Sequence, residues 1–245
     1  MEIRNSETIV DDIKEELLAQ YKAHSQATID DDKIPNDIDL DAYARYLKIN
    51  TYKGLKERNG DMIGWIEIPG THVNYPVMQT IKSPNYYLDK NFEKKSYMYG
   101  TPYVSERCDV NKPSDNLIIY GHAGRYGYTM FTDLLMYKRK SYYDTRKIIN
   151  FDTMHSFDVY EICYLIDVDV NTGNDQFKYY YCYDFATEAD FNDFVKKCEQ
   201  FQMYDTGVKP QYGDKLITLS TCDLNKSNFA RFVVVAKLVS SDPYE

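Results

Sequence analysis

Long apolar runs are missing from this sequence: nothing in its 245 residues approaches the roughly 20 that a membrane-crossing helix needs. The short apolar core of a secretion signal is missing as well. The chain reads as a soluble piece, its polar opening compatible with a natural start or with loss of a preceding membrane anchor. Basic residues are in deficit, 29 against 38 acidic, and the net charge of −9 argues against a general nucleic-acid binder, which would carry a basic face. The five cysteines (Cys108, Cys163, Cys182, Cys198, Cys222) form no CxxC pair and no Cys/His ligand spacing, which argues against a zinc site. Their odd number leaves at least one thiol without an intramolecular partner. A chain with its own core does not need disulfides, so free thiols are expected. Internal repeats and low-complexity segments are also lacking.

What is present favours a folded, β-rich domain. Hydrophobic residues make up 43%, and 25 tyrosines supply large side chains suited to half-buried sheet faces. Ile3, Val10, Ile13, Leu17 and Tyr21 recur at helical spacing. An acidic, proline-containing break (Asp30 to Pro35) follows, and Leu40, Tyr43 and Leu47 mark a second short helix over Leu40 to Ile49. We place a helical N-terminal region over 1–55, packing on a main domain over 56–245. From Gly60 the pattern changes to short strands and turns. Trp65 to Ile68 ends in the turn Pro69-Gly70-Thr71, with Val73 to Val77 beyond it. Asn116 to Tyr120 has the continuous apolar pattern of a strand buried on both faces. Lys147 to Asp152 and Phe157 to Val170 read as paired strands joined through Met154-His155-Ser156. Thr187 caps a helix, with Asp190 three residues on, and Phe191, Phe194, Val195 and Cys198 form its apolar face. Lys215 to Ser220 and Phe232 to Val239 complete the set. Many short strands with few helices favour a closed or nearly closed barrel.

Three residues carry the chemistry. Cys222 stands where the strand Leu216 to Ser220 gives way to a polar loop, and reactive thiols sit at such element ends near cations, whereas inert ones lie within apolar runs. His122 leaves the strand Asn116 to Tyr120 directly after Gly121. Glycine permits a sharp turn there and close approach of another chain. Arg231 follows Cys222 by nine residues, just before the strand starting at Phe232. A strand–loop–strand unit of that length can fold back and set a guanidinium beside the thiol, where it would favour the thiolate and hydrogen-bond an oxyanion. Each residue alone has an ordinary reading as a structural cysteine, a turn histidine or a surface arginine. The combination is what points to a site.

Thr218-Leu219-Ser220-Thr221-Cys222, Arg231 before a valine-rich strand, and Tyr120-Gly121-His122 after an apolar strand together resemble the sortase family. The likeness runs from about Gly60 to the C-terminus and includes Asp61 to Thr71 and Tyr75-Pro76-Val77. The helix after Thr187, leading through Tyr204 to Gly207 and on to Gly213-Asp214-Lys215, resembles the insertion typical of class B. The resemblance implies an eight-stranded barrel with N-terminal helices and a helix inserted before the last two strands. It further implies a cysteine transpeptidase at the outer face of a Gram-positive membrane. Cys222 would attack a sorting-signal peptide after its threonine, His122 would act as acid and base, and Arg231 would stabilise the oxyanion. The amine of a peptidoglycan precursor would resolve the thioacyl intermediate. No metal or organic cofactor is expected.

Ser220, Thr221 and Asp223 flank the nucleophile as expected peptide contacts, and Leu88 and Tyr180 match positions that contact the peptide in class B. The class suggests a pentapeptide of Asn-Pro or Ser/Pro-Pro type with Thr fourth. The sequence departs from the class at Ala123 and Gly124, where Asn and Met are usual. It departs again near Ser105, where an acid is usual, and at Pro84. Three alternatives stay open: a pilus-polymerising enzyme, whose Asp-Pro lid motif is matched only by Asp242-Pro243 at the end of the chain; a plain cysteine protease; and a non-catalytic module that binds peptide or wall.

Overall fold

A computed structural model describes residues 40–124, 127, 129–170, 177–227 and 229–244. The periodic segment from Ile3 to Tyr21 and the acidic break after it lie outside them. The chain divides into two compact units, Met1–Met62 and Ile63–Glu245. In the first, helix α1 spans Leu40–Arg58, well past the expected end at Ile49. Thr51 and Gly54 look like breakers in the sequence. The Thr51 hydroxyl, however, donates to the Leu47 carbonyl at 2.8 Å, one turn back, so its side chain is satisfied within the helix. The helix ends where Lys56 Nζ turns to the Gly60 and Met62 carbonyls, at 2.8 and 2.6 Å, a cation suited to a helix C-terminus.

The second unit is built on eight strands: β1 (Met62–Glu67), β2 (Asn74–Met78), β3 (Tyr103–Val104), β4 (Asn116–Tyr120), β5 (Ile148–Thr153), β6 (Ser156–Asp169), β7 (Leu216–Cys222) and β8 (Ala230–Pro243). They close in the order β1-β2-β3-β4-β7-β8-β6-β5, and β5 pairs back on β1. Closure leaves no open edge of the kind that pairs with other chains. The β2–β3 and β4–β7 pairs are parallel and the others described are antiparallel. Breaks in the β6–β8 register at Val159/Tyr160 and Ile162/Tyr164 mark irregularities of the sort that add twist where a long strand must curve.

β3, two residues long, has no sequence signature of its own. The same is true of the 3₁₀ turns Tyr86–Leu88, Thr132–Lys138 and Tyr179–Tyr181, and of the single-turn helix α2 (Lys140–Tyr143). Helix α3 spans Glu188–Phe201 and carries the full capping box: Thr187 accepts from the Asp190 N–H while the Asp190 carboxylate accepts from the Thr187 N–H. Such a cap contributes about 1 kcal/mol.

The valine run of β8 has a simple explanation. Phe232, Val234 and Ala236 point into the barrel core with Ile66, Ile119 and Leu219. Val233 and Val235 point outward into a second apolar layer with Tyr164, Ile166 and the Phe191, Phe194 and Cys198 face of α3. Successive strand residues face opposite ways, so a strand covered on both sides is apolar throughout. The helix inserted before the last two strands is thus held by the outer face of β6 and β8.

Candidate active site

Strand register assembles the site. β4 and β7 run parallel with Tyr120 beside Ser220, so Gly121-His122 and Thr221-Cys222 leave the barrel at the same end. The Gly121 N–H extends the ladder to the Ser220 carbonyl at 3.1 Å, and the Thr221 hydroxyl donates to the Gly121 carbonyl at 2.7 Å. β7 and β8 are antiparallel, and their last registered pair is Cys222 with Arg231. Arg231 Nη1 donates to the Ala230 carbonyl at 2.9 Å, which orients the guanidinium. Gly121 is required by close approach: a Cβ there would lie 2.6 Å from the ring of Phe131, which is fully buried. Gly121→Ala is expected to cost about 1–3 kcal/mol through overpacking. That corresponds to a fall of roughly 2–12 °C in a circular-dichroism melt; an unchanged melt would mean that Phe131 yields freely.

Cys222, His122 and Arg231 line one cleft of about 330 Å³, together with Leu88, Tyr180, Ser220 and Thr221. Ser220 and Thr221 are nearly buried and their hydroxyls are already engaged, Ser220 Oγ with Tyr179 Oη at 2.7 Å and Thr221 with Gly121. Asp223 departs from its expected place. It is not part of the cleft wall; its carboxylate is 1% exposed and pairs with Lys138. The reason is the alternation of the chain past Cys222, which turns Asp223 inward. Among the other histidines, His72 pairs with Asp133 at 2.9 Å, His155 lies in the β5–β6 turn, and His24 is outside the described residues.

His122 Nε2 lies 2.9 Å from the Leu88 carbonyl oxygen. A carbonyl only accepts, so that nitrogen carries the proton in this contact. Leu88 closes the turn Tyr86–Leu88, held against Gly100. Gly100 has φ of +59°, and a Cβ there would sit 2.3 Å from the Tyr87 carbonyl.

The five thiols are free and differ sharply in setting. Burial pushes Cys108 up to about 11, Cys163 up to about 12 and Cys182 up to about 11, and holds Cys198 well above the ordinary thiol range. Those thiols stay protonated, and the thiolate is the nucleophile. Cys222 is partly exposed, in the cleft, opposite an arginine.

Asn85, Tyr103, Glu106 and Arg107 also line the cleft, and no sequence pattern singled them out. Tyr103 belongs to β3 and the others to the segments before and after it, whose positions depend on strand pairing. The Tyr103 hydroxyl donates to Asn85 Oδ1 at 2.9 Å, and burial, with Glu106 and Cys222 nearby, raises its pKa, so it remains a donor. Among the described residues no group of three or more His, Cys, Asp or Glu side chains could hold a metal ion.

Known proteins resemble this chain in sequence and fold. The family profile described as the sortase domain matches residues 66–239. Sortase B of Staphylococcus aureus is 31% identical over 189 residues, covering 77% of this chain and 74% of that protein. Sortase B of Listeria monocytogenes gives the same identity and coverage, 31% over 189 residues. A Staphylococcus aureus sortase B–substrate complex superposes with a TM-score of 0.69 at 29% identity, covering 78% of this chain and 85% of that one. Clostridium perfringens sortase B gives a TM-score of 0.69 at 27% identity, covering 77% of this chain and 100% of that one. A sortase B complexed with triglycine matches at 30% identity with a TM-score of 0.69, covering 78% and 86%.

Proposed function

From the premise that this chain belongs to the sortase family, we propose that it is a class B cysteine transpeptidase that cleaves sorting peptides after threonine and passes the acyl group to an amine of the cell-wall precursor. The observation that carries this reading is the pairing of Cys222 with Arg231 across β7 and β8, with His122 delivered to the same cleft by β4.

The chemistry follows from those positions. The Cys222 thiolate attacks the threonine carbonyl carbon, and the carbonyl π pair moves onto oxygen. The Arg231 guanidinium donates to that oxyanion, a charge-assisted bond that strengthens as charge develops. When the tetrahedral centre collapses, the C–N bond breaks and the leaving amine takes a proton from His122. A thioester to Cys222 remains. The acceptor amine then attacks the thioester, His122 takes its proton, and the thiolate departs. His122 must release the Leu88 carbonyl to do this, and a peptide bound along Leu88 is placed to displace it. The triglycine held by a solved relative supports an amine as acceptor. The site belongs, on this reading, at the outer face of a Gram-positive membrane; no helix among the described residues is long and apolar enough to cross one.

The polar lining contributed by Asn85, Tyr103 and Glu106 favours a hydrogen-bonding side chain at the first position of the motif. The test is a panel of quenched pentapeptides of Asn-Pro and Ser/Pro-Pro type with Thr fourth, incubated with and without triglycine. Cleavage after Thr, with product diverted to the triglycine adduct, is expected. Acid product alone, unaffected by the amine, would make the protein a protease.

A further inference from the structure

Asp223 follows the nucleophile and is buried, and among the described residues its one side-chain partner is Lys138. The carboxylate's other oxygen, Oδ1, is buried and has no hydrogen-bond partner among them. A carboxylate so withdrawn from water depends on its countercharge, and removing one member of such a pair is far more disruptive than its net contribution suggests. Lys138 is the last residue of the 3₁₀ turn Thr132–Lys138, 32% exposed; its ammonium also lies 3.8 Å from Asp167 Oδ2 on β6 and over the Phe232 ring on β8, 5.9 Å from the centroid.

That turn is the continuation of the His122 segment. The Phe131 N–H donates to the His122 carbonyl at 2.8 Å, Ala123 bridges to Met130, and the Gly124 N–H donates to Thr132 Oγ1 at 2.8 Å. On the other side, the Asp223 N–H donates to the Ala230 carbonyl at 3.0 Å and the Asp223 carbonyl accepts from the Lys226 and Ser227 N–H groups at 3.0 and 3.2 Å. Asp223 therefore shapes the loop that turns Arg231 back beside Cys222. Two further contacts tie that loop to β6, Lys226 with Asp167 at 2.9 Å and Ser227 with Asp169 at 3.0 Å. The Lys138–Asp223 ion pair thus joins the segment that presents His122 directly to the loop that presents Cys222 and Arg231, with Asp167 of β6 beside the same ammonium.

We propose that Lys138 and Asp223 are a positioning pair for the transfer reaction, a strut that sets the spacing between His122 and the Cys222–Arg231 corner without touching substrate. The inference rests on the transpeptidase reading for its kinetics. A displacement of about 1 Å in such a constellation costs on the order of 10²-fold in rate.

The test uses Lys138→Met, Asp223→Asn, their double variant and Lys138→Arg, assayed below each protein's melting temperature. Both single variants are expected to lose about 10²-fold in kcat with KM held within about twofold. The double variant is expected to lose no more than either single one, because a strut broken once is broken. Lys138→Arg keeps the charge and recovers most of the rate. Losses that multiply in the double variant, a rise in KM at constant kcat, or Lys138→Arg no better than Lys138→Met would each overturn the proposal.

A second readout needs no turnover: the rate at which iodoacetamide alkylates Cys222, mapped by peptide mass. A positional effect shifts Lys138→Met and Asp223→Asn the same way. A through-space charge effect shifts them in opposite directions and would overturn the strut, as would unchanged rates in both. If the unmodified protein cleaves no peptide, the transpeptidase reading fails while alkylation still decides the pair.

Discussion

Cys222→Ala is expected to abolish acyl transfer, with a loss on the order of 10⁶ in kcat if it behaves as other nucleophile deletions do. No other thiol can stand in. Cys108, Cys163 and Cys198 are buried with their pKa values pushed up, and Cys182 lies away from the cleft wall. The Arg231 guanidinium and the cleft remain in the variant, so peptide binding should persist while chemistry stops. Intact-protein mass spectrometry gives the sharpest reading. The unmodified protein with peptide and no amine should gain one acyl mass that maps to Cys222, and the variant should gain none. An adduct that survives the substitution would transfer the nucleophile to another cysteine. Unchanged peptide or wall binding by both, with no adduct on either, would favour a binding module instead.

Arg231→Ala is expected to lower kcat by about 10²–10³-fold, the usual loss for one oxyanion donor. The expectation rests on register. Cys222 and Arg231 are paired residues of adjacent strands, so the thiol and the guanidinium leave neighbouring backbones toward one cleft. The donation to the Ala230 carbonyl fixes the planar group before substrate arrives, and preorganisation is what gives such donors their effect. Arg231→Lys should restore only part of the loss, because an ammonium has neither the fork geometry nor the rigidity of a guanidinium. Pre-steady-state formation of the acyl adduct separates this from a binding defect: its rate should fall while the peptide concentration at half saturation changes little. Comparable rates for Arg231→Ala and the unmodified protein would remove Arg231 from the oxyanion role.

The two substitutions act on residues readable in advance, and the reason lies in the local nature of their signals. Cys222 ends an apolar strand, Arg231 opens a valine run, and His122 follows a glycine after a strand buried on both faces. Alternation and apolar runs report which faces are covered, and in β8 the barrel core takes one side and the α3 layer the other. The Thr187–Asp190 cap was legible for the same reason, its partners being three residues apart.

Tertiary structure decided what local pattern does not encode. A strand's sequence does not name its neighbour, so the parallel pairing of β4 with β7, which brings Gly121 and Thr221 together across 100 residues, came only with closure of the barrel. This part of the cleft lining was hidden likewise, because Tyr103 belongs to β3, a strand too short to have a pattern, and Asn85 and Glu106 come from segments whose places depend on that pairing. Asp223 shows the limit most clearly. Its position beside the nucleophile suggested contact with substrate, yet its carboxylate is buried against a lysine 85 residues away. The longer strands and the capped helix were legible because each is written in neighbouring residues, and the combination of Cys222, His122 and Arg231 marked a candidate site. Which strands meet, what walls the cleft and which way Asp223 points were settled by closure, because a buried charge must find its counterion wherever the fold has put one.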